Sequence, residues 1–133
     1  LSGLNAHDTL LGSDGNDTLI GGVGAAILTG GGGADRFVFG AAVAGTGKDT
    51  VQDFVHGADK LVFTGSDYGF AAGHGLTAGE FTAGSTAVGT SAQFIWDGHT
   101  LWWDDDGTGS DAAIAIAGFN GTPTVTASDF VFT

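Results

Sequence analysis

The sequence predicts an all-β chain: a parallel β-roll that continues into a small antiparallel β-sandwich. Three observations predict it. Four nine-residue segments follow one another without a gap over residues 3–38. Glycine supplies 26 of the 133 residues and proline only 1, a composition that means disorder when aperiodic and a repeat structure when periodic. From about residue 64 the period is gone, and apolar residues alternate with polar ones, as strands with one buried face require.

The segments are Gly3–Leu11 (GLNAHDTLL), Gly12–Ile20 (GSDGNDTLI), Gly21–Thr29 (GGVGAAILT) and Gly30–Val38 (GGGGADRFV). Each reads against G-G-x-G-x-D-x-U-x, with U a large apolar residue, the pattern of nonapeptide β-helices. The U position holds Leu10, Leu19, Leu28 and Phe37, and the Asp position holds Asp8, Asp17, Ala26 and Asp35. A fifth copy, Ala44–Gln52 (AGTGKDTVQ), follows after Phe39–Val43 and carries Asp49 and Val51 in the corresponding places.

In each repeat the last three residues form a short strand with U pointing inward. The first six form a turn whose glycines take backbone angles that other residues resist. With two nonapeptides per coil, a turn stacks on the turn two repeats later, at a strand spacing of about 4.8 Å. The Asp of one turn then lies near the Asp of the next on that side. Carboxylates this close repel unless a cation sits between them, and turn carbonyls complete an all-oxygen cage. Calcium takes roughly 6–8 oxygen ligands in adaptable geometry and fits. Zinc does not, because the chain has no cysteine and His7 is the only histidine in the four repeats. Asp is a turn former by itself, but four tandem copies in one frame weigh for calcium.

These repeats resemble the RTX calcium-binding family (hemolysin-type repeats). They are most similar to the C-terminal regions of serralysin-type proteases and to the R-modules of alginate epimerases. The resemblance implies ions held between two turns on one side of the roll. The first turn gives the carbonyls of its second and fourth positions and its Asp; the second gives those of its first and third positions and its Asp. On this chain that implies a complete site of Asp17 and Asp35 with the carbonyls of Ser13, Gly15, Gly30 and Gly32. It implies a weaker one of Asp8 with the carbonyls of Leu4, Ala6, Gly21 and Val23, where Ala26 replaces the second carboxylate. Gly33–Phe39, Asp49–Phe54 and Gly57–Phe63 resemble the family's exit from the roll. There Asp49, Asp53 and Asp59 read either as ligands of a further ion or as turn aspartates beside a surface Asp-Lys neighbour.

In the C-terminal half, Ala92–Trp96 and Thr100–Trp103 read as strands joined by an Asp97-Gly98 hairpin. Ala112–Phe119 reads as a buried strand and Phe130–Phe132 as a last one. Asp104-Asp105-Asp106-Gly107-Thr108-Gly109-Ser110-Asp111 is the densest carboxylate cluster and resembles a DxDGxG turn of RTX exoproteins. Two readings stand for it: a calcium role for Asp104, Asp106 and Asp111, or an exposed acidic hairpin. It is not an EF-hand, because the downstream Glu and the flanking helices are missing. Trp96, Trp102 and Trp103 read as a sugar-stacking platform or as core. Neighbours in a strand face opposite sides, so Trp102 and Trp103 should divide between the two roles.

The charge of -12, from 15 acidic and 3 basic side chains, argues against nucleic acid and anionic membrane surfaces as partners, which need lysine and arginine. No apolar run approaches membrane-spanning length. The chain begins Leu1-Ser2-Gly3 with no Sec-type signal, and reads as a fragment whose natural start lies upstream. Its end, Asp129-Phe130-Val131-Phe132-Thr133, resembles the uncleaved C-terminal signal of type I (ABC transporter) secretion substrates, or is an ordinary edge strand. His7, His56, His74 and His99 make no HExxH pair, and neither a G-x-S-x-G elbow nor a phosphate-binding loop occurs. The expectation is a secreted, extracellular, calcium-triggered folding and export module with no catalytic site. Its roll spans residues 1–63 and its cap, with the export signal, residues 64–133. Two rivals stand beside it. One is a polysaccharide- or surface-binding module attached to an extracellular enzyme or adhesin; the other is a piece of an enzyme whose catalytic residues lie upstream.

Overall fold

The computed structural model describes residues 1–3, 5, 7–43 and 47–133. Each repeat ends in a short strand: β1 (Thr9–Leu11), β2 (Thr18–Ile20), β3 (Ile27–Thr29) and β4 (Arg36–Phe39). Leu10 faces Leu28 across the parallel pair β1–β3, and Leu19 faces Phe37 across β2–β4. Both offsets equal two nonapeptides, so odd repeats build one sheet and even repeats the other. β5 (Asp49–Val51) continues the first sheet, with Leu28 opposite Val51, and β6 (Lys60–Phe63) continues the second. The step from Leu28 to Val51 exceeds two nonapeptides by five residues, the length of Phe39–Val43. The U side chains Leu10, Leu19, Leu28, Phe37 and Val51 are all buried between the sheets.

Glycine is required at two places in the turn. The fourth position takes a left-handed backbone, with φ of 114° at Gly15, 102° at Gly24 and 118° at Gly33, and so does the second at Gly22 and Gly31. A side chain on any of these five glycines is strained.

The C-terminal half contributes β7 (Phe81–Ala83), β8 (Gln93–Trp96), β9 (Thr100–Asp104), β10 (Ile114–Phe119) and β11 (Phe130–Phe132). β8, β9 and β10 are antiparallel neighbours, and Asp97-Gly98 lies in the hairpin between β8 and β9. β10 then runs parallel to β5, and β11 parallel to β6. The two sheets are therefore continuous from repeat to cap. One has the order β1-β3-β5-β10-β9-β8-β7 and the other β11-β6-β4-β2.

Phe63 is the hub of the core where the two halves meet. Its fully buried ring lies 5.1–6.0 Å from those of Phe39, Tyr68, Phe94, Phe130 and Phe132. Asp129, also fully buried, fixes the start of β11: its Oδ2 lies 2.7 Å from His56 Nδ1 and accepts the Thr126 N–H at 2.8 Å. Phe130 and Phe132 of this last strand are thus packed into the core. Among the described residues no helix is long and apolar enough to cross a membrane.

Candidate metal centre

The second and fourth turns lie directly against each other. Gly15 donates to the Gly32 carbonyl at 2.7 Å, and Gly32 donates to the Ser13 carbonyl at 3.1 Å. Asp17 turns one oxygen back to accept the Ser13 N–H at 2.8 Å, and its own N–H donates to Asp35 Oδ1 at 2.9 Å. The other Asp35 oxygen, Oδ2, is buried and has no hydrogen-bond partner, in a residue only 1% exposed. A buried carboxylate oxygen without a partner is costly. Glycines keep the space between the turns clear. A Cβ at Gly31 would run into the Ser13 carbonyl, one at Gly33 into the Gly15 carbonyl, and one at Gly30 into Asp35 Oδ2.

Backbone carbonyls and the Asp17 and Asp35 carboxylates meet where these turns stack, the donor types of a hard cation such as calcium. Asp17, Asp35, Ser13, Gly15, Gly30 and Gly32 all lie on these two stacked turns. Two of those carbonyls already accept an N–H, which leaves each a second lone pair for a cation.

The other side of the roll differs. Asp49 is buried, its Oδ1 accepts the Ala26 N–H at 3.0 Å, and its Oδ2 lies against Gly21. The backbone N–H of the alanine-bearing turn thus meets the carboxylate of the turn after it. Asp8 accepts the Asn5 N–H at 2.9 Å. Gly21 and Val23 belong to the facing turn, whereas Leu4 and Ala6 lie outside the described residues.

Asp53 and Asp59 hold backbone. Asp53 accepts the N–H groups of Gly30 and Gly31 at 2.9 and 2.8 Å; Asp59 accepts those of Asp35 and Val55 at 2.9 and 2.8 Å. Each thereby fastens the exit segment to the turn that carries Asp35.

In the cap, Asp104, Asp105 and Asp106 each bring one oxygen to within 4.8 Å of the others. Asp104 is buried, and Asp106 Oδ1 is buried with no partner. Asp106 Oδ2 accepts the Asp111 N–H at 3.1 Å, so Asp111 joins through its backbone. The sequence reading missed Asp105, although the unbroken Asp-Asp-Asp run signalled it. Asp97, read as part of the hairpin turn, holds that turn with its Oδ1, which accepts the His99 and Thr100 N–H groups. Trp96 and Trp103 are core, their rings 5.0 Å from Phe119 and 4.7 Å from Phe94; Trp102 lies on the opposite face, half-buried.

Burial pushes the carboxyls of Asp49, Asp59 and Asp104 above their ordinary value of 3.8, against the pull of backbone N–H donors. The Asp35 and Asp53 charges add to the rise at Asp59, and Asp106 adds to it at Asp104. A raised folded-state value means that the folded chain binds protons more readily than the unfolded one. Without calcium, stability should therefore fall as pH rises from 3.8 through those raised values. With calcium the trend should reverse, because protons compete for the same oxygens. Circular dichroism across that interval, with and without calcium, checks both signs.

Stacked glycine–aspartate turns between two stacks of parallel strands define a β-roll of nonapeptide repeats. The chain belongs to the family described as Peptidase M10 serralysin C terminal, which matches residues 5–132. No curated protein matches the chain.

Proposed function

We propose that this chain is a calcium-binding module of a secreted protein that folds when calcium binds and carries the signal for type I export. The observation that carries the reading is Asp35 Oδ2, a buried carboxylate oxygen with no partner, which lies against Gly30 on the turn stacked upon that of Asp17. The turn pair of Asp17 and Asp35 is the primary site. The carbonyls there supply neutral ligands and the two carboxylates supply charge, so ligation relieves both the orphaned oxygen and the like-charge repulsion. The pairs built on Asp8 and on Asp49 are weaker, because Ala26 stands between them. Asp104, Asp105 and Asp106 form a further candidate, supported by the buried, unpartnered Asp106 Oδ1.

Residues 1–63 act as the calcium-binding roll and residues 64–133 as the cap. Without calcium, a net charge of -12 and 26 glycines oppose ordering, which suits passage through an export channel. Outside the cell, calcium modules bind with dissociation constants on the order of 10⁻⁴–10⁻³ M, and binding to the folded state alone stabilises it by mass action. β11 is accessible to an exporter only while the chain is unfolded, since folding buries Phe130 and Phe132. The module is accessory, and catalysis belongs to whatever chain it is attached to.

Calcium titration followed by circular dichroism and calorimetry tests the reading. Strand signal and calcium uptake should rise together, and equal strand content in chelator and in calcium would sink it. Ala26→Asp gives a gain-of-function prediction. It restores the missing carboxylate facing the first and fifth turns, so calorimetry should count one more ion or a tighter weak class than in the parent chain.

A further inference from the structure

We propose that the groove on the outer face of the seven-stranded sheet, floored by Trp102, binds a neutral saccharide. Leu101 and Trp103 of β9 face the core, which turns Trp102 outward. Trp102 packs on no other aromatic ring among the described residues. Its Nε1 donates to Asp97 Oδ2 at 3.0 Å, while Asp97 Oδ1 accepts the His99 and Thr100 N–H groups at 2.9 and 2.7 Å. Against the upward push of partial burial, these donors hold the Asp97 carboxyl below its usual range. The hairpin turn thus fixes the carboxylate, and the carboxylate fixes the indole. With its one donor already engaged, the ring has only its face to offer.

That face lies in a cavity of about 450 Å³, within the range of small-molecule sites. Its walls are two loops. Gln93, fully buried, pins the first by accepting the Val88 N–H and donating to the Val88 and Ser91 carbonyls at 2.8–2.9 Å. Thr108 ties the second loop to the first by donating to the Gly89 carbonyl at 2.7 Å. The groove is therefore preorganised, which lowers the ordering cost of binding.

The rim names the ligand class. Ser85, Thr86 and Thr108 bring hydroxyls, and the exposed Asp111 brings a carboxylate. A ligand dense in hydroxyls can donate to that carboxylate and exchange hydrogen bonds with the hydroxyls, while its C–H face lies on the indole. The acidic rim repels phosphate and uronate polymers, so the saccharide is an uncharged one.

The test uses the calcium-saturated chain, titrated with cellohexaose, laminarihexaose and mannohexaose and read by tryptophan fluorescence and calorimetry. At least one should bind saturably. Trp102→Ala should weaken that binding by about tenfold or more with the circular dichroism spectrum unchanged. Asp97→Asn, which keeps the size but loosens the hold on the indole, should weaken it less. Silence of all three probes, equal binding by Trp102→Ala, or preferential binding of polygalacturonate or polylysine would each overturn the proposal. The groove does not depend on the repeat-turn sites. The calcium midpoint of folding, measured on the same samples, separates a failure of one reading from a failure of the other.

Discussion

Asp35→Asn is expected to raise the calcium concentration needed for folding by about tenfold or more. The substitution keeps the size of the side chain and its acceptor for the Asp17 N–H, but removes the charge from the gap between the second and fourth turns. In calcium-free buffer the sign should invert. There the parent chain buries an Oδ2 with no partner, and its charge pushes the neighbouring Asp59 carboxyl upward. Asparagine removes the buried charge and its push on Asp59, so the variant should hold at least as much strand as the parent in chelator and less at limiting calcium. Crossing curves of strand signal against calcium would establish Asp35 as a ligand. Parallel curves displaced by a constant amount would mean that it only holds the turn.

Phe63→Ala should cost about 3–5 kcal/mol of calcium-saturated stability, the range for truncating a buried phenylalanine. The ring touches residues from both halves, Phe39 on β4 and Phe130 and Phe132 on β11, so the loss should appear as one cooperative transition moved to lower denaturant. Phe81→Ala, at the partly buried rim where it meets Phe130, should move it far less. A biphasic unfolding curve for Phe63→Ala would show instead that the roll and the cap unfold separately.

Much of this fold could be read along the chain, because its information is local. The nine-residue frame gives the stacking of Leu10 on Leu28 and of Leu19 on Phe37, and the five-residue insertion after Val38 shifts the next coil by that length. The oxygen-rich gap between Asp17 and Asp35 follows from the same frame. What stayed hidden was non-local. Alternation in Ala112–Phe119 says that a strand is there, but not that β10 lies parallel to β5 while antiparallel to β9. Asp53 and Asp59 carry the composition of ligands, yet their oxygens hold backbone N–H groups brought from the fourth repeat and the exit turn. Alternation sets Trp102 and Trp103 on opposite faces, but only the facing of β9 in the fold tells which of them is core.

The closure of β10 onto β5 and of β11 onto β6 also has a bearing on association. A chain stopping before residue 114 would present Asp49–Val51 and Lys60–Phe63 as bare strand margins, rows of N–H and C=O groups that any extended backbone can join. Such margins can pair with an extended segment of another copy and grow head to tail into filaments. The C-terminal strands therefore serve as a stopper over β5 and β6.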